Sequence, residues 1–157
     1  MTMLDGDPAT DDDRRRVVEL IGREPMGEFQ VVVRDTAGAP VVLRNAPLLD
    51  DGTPMPTLYW LVGAHEVADV GRLEAAGGVD EAEAEIGLET IDAIHARYAA
   101  MRDALVPSGH PGHRPSGGVG GTRRGVKCLH AHYAHFLAGG DDAVGAWVHM
   151  RLNGGES

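Results

Sequence analysis

At 157 residues, with 43% hydrophobic and 24% charged content, the chain has the size and composition of one ordinary globular domain rather than of a disordered segment. Its 24 acidic residues against 14 basic ones leave a net charge of −10. That balance argues against a duplex nucleic-acid partner, whose phosphates call for Lys and Arg, and against docking on an anionic membrane. The single cysteine, Cys128, excludes an intramolecular disulfide, and no apolar run approaches the roughly 18 residues of a membrane span. The start lacks the basic and then apolar pattern of a secretory signal, so the expected location is cytoplasmic.

In chain order, residues 1–9 are polar and are expected to be frayed. A helix is predicted over 10–22: Thr10 can cap it, Asp11, Asp12 and Asp13 suit the positive end of its dipole, and Gly22 can end it. The run Glu-Phe-Gln-Val-Val-Val-Arg at 28–34 reads as a strand, 36–40 as a turn and 41–44 as a second strand, together a hairpin. A Pro- and Asp-rich loop over 46–56 leads to the apolar run 57–62, read as a third strand. Helices follow over 64–76, ending at Gly77 and Gly78, and over 80–105, where Ile91, Ile94, Tyr98, Met101 and Leu105 step by three and four. Residues 107–121 form a loop, 125–138 a helix, and Asp141 or Asp142 caps a last helix to about residue 152. The expected architecture is a single α+β domain over 10–152, with a hairpin plus one strand packed by four to five helices and a disordered tail at 153–157.

The chemistry-bearing residues concentrate around 116–138. On a helical wheel for 125–138, Val126, Leu129, Tyr133, Phe136 and Leu137 form an apolar stripe. Cys128, His132 and His135 fall on the opposite, half-exposed side, with His130 at the edge of the stripe. His132 and His135 are the candidate metal ligands of this helix, with zinc as the ion that Cys and His favour. Cys128 and His135 stand seven residues apart, a rise of about 10.5 Å, so the helix offers at most two ligands to one ion. The remainder must come from His110, His113, His95 or a carboxylate.

A second reading rests on the preceding segment Ser-Gly-Gly-Val-Gly-Gly-Thr-Arg-Arg-Gly-Val-Lys at 116–127. Gly121, Thr122, Arg123, Arg124 and Lys127, just before a helix N-terminus, are the residues expected to hold a small anionic, phosphate-bearing ligand. In a third reading Cys128 and His130 are catalytic. Lys127, Arg124 and the first helical turn would lower the thiol pKa, and His130 would act as acid or base. Against it, residues two apart on a helix do not face one another. His65 and His149 read as surface or boundary residues.

Three longer motifs complete the picture: Asp-Gly-Thr-Pro-Met-Pro-Thr-Leu-Tyr-Trp-Leu at 51–61, Gly-Val-Lys-Cys-Leu-His-Ala-His at 125–132, and Ala-Gly-Gly-Asp-Asp-Ala-Val-Gly at 138–145. With Gly-Arg-Glu-Pro-Met-Gly at 22–27, they resemble the bacterial family DUF501 over about residues 17–147. The resemblance implies an actinobacterial genomic neighbourhood shared with a septum-formation initiator protein and an exopolyphosphatase-like protein. That neighbourhood makes a cell-division or envelope partner an expectation, with the stripe of the 80–105 helix as docking face or homodimer seam. Lys127, Cys128 and His130 match the family's Lys-Cys-Leu-His core, while His132 and His135 match some members. Other members carry extra cysteines where this chain has Asp35 and Gly63.

Overall fold

The computed structural model describes residues 6–153, so residues 1–5 and 154–157 of the expected frayed ends lie outside it. Asp7–Pro8 is strand β1, paired antiparallel with β2, and the last helix includes residue 153, so the ordered chain extends beyond 10–152 at both ends. Helix α1 spans Asp11–Ile21. Thr10 caps it by accepting the Asp13 N–H while the Asp13 carboxylate accepts the Thr10 N–H, and Gly22 ends it at φ 77°. Such a reciprocal box satisfies two N–H groups that a helix start leaves without partners.

β2 (Phe29–Arg34), β3 (Pro40–Asn45) and β4 (Tyr59–Leu61) continue a four-stranded antiparallel meander in the order β1-β2-β3-β4. The hairpin and third strand are present as expected, with β1 the addition. One face of the sheet packs Phe29, Val31 and Leu43 against Val17 of α1. On the other side a larger core gathers Val42, Leu58, Tyr59 and Leu61 with the remaining helices. These are α2 (Ala64–Ala75), α3 (Gly78–Ile86), α4 (Leu88–Asp103), α5 (Leu129–Leu137) and α6 (Ala143–Asn153). Six helices thus pack the sheet, where four to five were expected.

The long predicted helix is two, because Gly87 adopts φ 89° and ψ 143° and separates α3 from α4. Only glycine takes up that conformation without strain. The apolar stripe survives the break: Ile91, Ile94 and Tyr98 are fully buried, whereas Leu105 beyond the helix end is 49% exposed. Tyr98 Oη accepts the N–H groups of Leu58 (2.6 Å) and Tyr59 (3.0 Å), fastening α4 to the entry of β4. The stripe is therefore consumed by the protein's own core and leaves no seam for a docking helix.

Arg102, 1% exposed, ties down the irregular segment after α4. Its Nη1 donates to the Pro56 and Gly117 carbonyls at 3.1 and 3.0 Å, and its remaining nitrogens meet Asp103. On the opposite side of the sheet, Arg34 makes a bidentate pair with Asp13 at 2.8 and 3.0 Å. Those bonds from Arg34, opposed by burial and helped by Thr10, lower the Asp13 carboxyl from 3.8 to about 2.

A depressed folded-state pKa contributes stability that is complete above the unfolded value and is lost as pH falls through the folded one. Asp13→Ala is expected to cost about 2 kcal/mol at neutral pH through the lost cap and ion pair. The penalty should shrink between pH 3.8 and about 2. Denaturant titrations of both proteins across that range check it, and a pH-independent penalty contradicts the assignment.

Candidate functional site

Helix α5 begins at Leu129, four residues later than the sequence indicates; the apolar stripe of Leu129 and Tyr133 faces the core as expected, but Cys128 and the histidines are placed differently. Cys128 is the N-cap residue in extended conformation (φ −152°, ψ 150°), outside the helix. The glycine-rich stretch before it does not extend the helix: Val119–Gly121 is a single 3-10 turn and Gly125 sits at φ 63°. The half-exposed histidine face is corrected as well. His132 and His135 are buried, at 0% and 2% exposure, because α5 packs against β4, α2 and α6 at once and has almost no solvent side.

Inside, both imidazoles converge on Asp142. His132 Nδ1 lies 2.8 Å and His135 Nδ1 2.9 Å from Asp142 Oδ2, while Asp142 Oδ1 accepts the Gly145 N–H at 3.0 Å to cap α6. A carboxylate only accepts, so each imidazole donates from Nδ1 and presents Nε2 as the remaining ring atom. Burial pushes the Asp142 carboxyl up, but the hydrogen bonds from His132 and His135 outweigh it and hold the group below the ordinary carboxylate range. The His135 ring stacks on Tyr59 (5.8 Å) and meets the edge of Tyr98 (5.0 Å). His132 Nε2 is buried with no hydrogen-bond partner among the described residues. The two candidate metal ligands on this helix are thus brought together, but on a carboxylate and away from the surface.

A different trio meets at the helix start. Ligand atoms of Glu74, Cys128 and His130 all lie within 4.8 Å of one another. Glu74 arrives from the last turn of α2, and its Oε2 accepts the Leu129 N–H at 2.6 Å. Its Oε1 lies 3.2 Å from His130 Nδ1, and His130 Nε2 lies 3.2 Å from the Val67 carbonyl. Cys128 and His130 can approach because Cys128 precedes the helix, so the rule for residues two apart on a helix does not apply. The Glu74 and His130 side chains are 25% and 28% exposed. The Cys128 thiol pKa is raised, chiefly by burial and against the N–H of Ala131. Lys127 acts in the lowering direction expected of it, but the net shift is upward.

The basic loop is only partly assembled. Arg123 and Arg124 line a concavity of about 510 Å³ with Asp92, His95, Gly117 and Gly118. Lys127 turns away to donate to the Gly120 carbonyl, Thr122 Oγ1 donates to the Arg124 carbonyl, and Gly121 takes φ 80° within the 3-10 turn. The backbone N–H of Val126 is taken by Glu83 (2.7 Å) and that of Leu129 by Glu74. Carboxylates of the protein's own helices therefore hold donors that the sequence assigned to an external anion. His95, buried, braces the loop, accepting the Val119 N–H at Nδ1 (3.0 Å) and donating from Nε2 to the Gly125 carbonyl (2.7 Å). His113 is exposed and His110 half-buried, His110 Nε2 lying 3.3 Å from the His113 carbonyl.

The profile of a family described as a protein of unknown function, DUF501, matches residues 31–150. The chain belongs to the DUF501 family. No curated protein and no solved structure matches the chain. Within this DUF501 protein, none of the described helices is long and apolar enough to cross a membrane. Sequence reasoning missed Glu74 and Glu83, since single glutamates in acidic helices carry no signal, and it took Asp142 for a cap alone.

Because the Asp142 carboxylate serves two imidazoles and a helix N-terminus, Asp142→Ala is expected to lower stability by about 3–5 kcal/mol, the range for stripping one member from a buried charged network. Denaturant unfolding of this DUF501 variant measures it. A change below about 1 kcal/mol, the upper value for an exposed pair, contradicts the network's structural role.

Proposed function

We propose that this DUF501 protein binds a zinc-type divalent metal ion through Glu74, Cys128 and His130. The observation that carries the reading is the convergence of a carboxylate, a thiol and an imidazole within 4.8 Å. Ligand atoms around tetrahedral zinc stand about 3.3–3.8 Å apart, given bonds of about 2.0–2.3 Å, so small side-chain rotations bring this trio to coordination distance. The surroundings support the same reading. The Leu129 N–H fixes one Glu74 oxygen and leaves Oε1 for the ion. The Val67 carbonyl takes His130 Nε2–H, setting the tautomer that frees Nδ1. Outer partners of this kind orient ligands and raise their basicity.

Three protein ligands at a quarter-exposed position leave one coordination place for water or substrate. That is the arrangement of catalytic rather than structural zinc, and it supports metal-assisted hydrolysis or a related Lewis-acid reaction. A small anion at Arg123 and Arg124 is a second reading, favoured by the concavity those two side chains share. It receives no help from the Val126 and Leu129 N–H groups, already bonded to Glu83 and Glu74.

Elemental analysis of untagged protein purified under reducing conditions is expected to find one zinc per chain. Cobalt loading should give a thiolate-to-metal charge-transfer band that Cys128→Ser abolishes. Glu74→Gln is the control for folding, because its amide oxygen still accepts the Leu129 N–H; it should weaken metal binding while the melting curve of the metal-free protein stays put. The absence of both stoichiometric zinc and a cobalt–thiolate band in the wild-type protein would sink the reading.

A further inference from the structure

The cations of this acidic chain separate into three groups. Half of its 14 Lys and Arg residues form ion pairs among the described residues. Of the remaining seven, Arg23, Arg114, Arg123, Arg124 and Lys127 are exposed, where a lone charge is fully hydrated and costs nothing. The other two, Arg14 and Arg44, are half-buried. In a chain with 24 carboxylate side chains, neither has one within ion-pair distance among the described residues. Both line the same cleft, a concavity of about 490 Å³ between α1, the ends of β2 and β3, and the chain just after α4.

The cleft is held open by contacts that use the flanks of these two guanidiniums. Arg14 lies over the Phe29 ring, 5.2 Å from its centroid, and Arg44 Nη2 donates to Gln30 Oε1, its cross-strand neighbour in the β2–β3 register. Asn45 is locked beneath them by its bond to the Thr57 carbonyl (3.0 Å). Phe29, Pro47 and Leu105 supply apolar wall, and Leu105 is one of the few large hydrophobic side chains left open to solvent. Glu28 stands exposed at the mouth and pairs with neither arginine. Arg14 directly follows the three aspartates that open α1, and its N–H bonds the Thr10 carbonyl at 2.9 Å, which fixes its backbone.

Partly desolvated guanidiniums with a fork of donors, set beside apolar wall, match an anionic head on an apolar body. A concavity of a few hundred Å³ in which polar groups such as Arg14, Gln30, Arg44 and Asn45 adjoin apolar wall has the size of a small-molecule site. We propose that this cleft binds a small organic anion, its carboxylate or phosphate held between Arg14 and Arg44 and its apolar portion against Phe29, Pro47 and Leu105. The site shares no residue with the Glu74, Cys128 and His130 trio and stands whether or not that trio holds a metal.

Phenyl phosphate and benzoate are the anionic probes, with benzyl alcohol as the neutral analogue and inorganic phosphate as the head alone. Amide chemical-shift titration of the full chain is expected to show saturable binding of at least one anionic probe at residues of β2, β3 and α1. Benzyl alcohol and inorganic phosphate should bind at least about tenfold more weakly, since each lacks one of the two interactions. Arg14→Gln, at a half-buried helix position, should weaken the anion about tenfold, the loss of one charge-assisted bond. Leu105→Glu, on the open wall, should abolish binding by repulsion while leaving the melting temperature near that of the wild type. Cys128→Ser should bind as the wild type does. No saturable shift with either anionic probe, or binding that survives both Arg14→Gln and Leu105→Glu, overturns the proposal.

Discussion

The Asp142 carboxylate is buried at the junction of α5 and α6, and three donors claim it: the Nδ1 groups of His132 and His135 and the N–H of Gly145. A lone carboxylate at that depth is strongly disfavoured, so the fold is tenable only with those donors in place. The constraint propagates. Two donors come from α5 and one from α6, which fixes the turn over residues 138–142 and the contact between the helices. His135 carries the constraint outward to Tyr59 of β4 and Tyr98 of α4, and the Tyr98 hydroxyl fixes the entry to β4. One carboxylate thereby sets α4, α5, α6 and the edge of the sheet relative to one another. Close approach is part of the design: a Cβ on Gly145 would meet the His132 carbonyl at 2.4 Å, and one on Gly140 the His135 ring at 2.2 Å.

Local signals were enough wherever a short stretch of chain decides its own structure. Thr10, the three aspartates after it and Gly22 define α1 to the residue, and β-branched runs define β2 and β3. The α+β class, the hairpin with a third strand and the stripe of α4 were all legible in this way. What was not legible depends on partners distant in sequence. Gly87 reads as a tolerable glycine inside a periodic helix until its left-handed backbone is seen. A wheel drawn over 125–138 presumes one apolar face, but α5 is enclosed on nearly every side, so polarity no longer reports exposure. The histidines are inside because Asp142 is inside with them, a pairing across ten and seven residues that no helical period encodes.

The same dependence on distant partners governs the helix start. The sequence places glycines, cations and a helix N-terminus in succession, which is the usual preparation for an external anion. The folded chain answers that preparation internally: Glu83 and Glu74 reach in from α3 and α2 to take the N–H groups of Val126 and Leu129. A protein with ten excess negative charges has carboxylates to spare for such capping. One consequence is that Glu74 is delivered to Cys128 and His130.

Charge economy then separates the two ends of the molecule. Around α5 a carboxylate oxygen, a thiol and an imidazole nitrogen, groups that can each offer an electron pair, lie within 4.8 Å of one another. At the α1 end of the sheet two guanidiniums, both hydrogen-bond donors, face one cleft. An acidic chain can hydrate any number of exposed carboxylates at little cost, but a half-buried arginine without a counter-ion forgoes part of its hydration with no ion pair in return. Such an arrangement persists in a folded protein when rigid neighbours impose it, as the β2–β3 register does for Arg44 and the capped first turn of α1 does for Arg14. The cleft between them is thus pre-organised for negative charge before any ligand arrives, and pre-organisation is the form in which a fold most cheaply stores affinity.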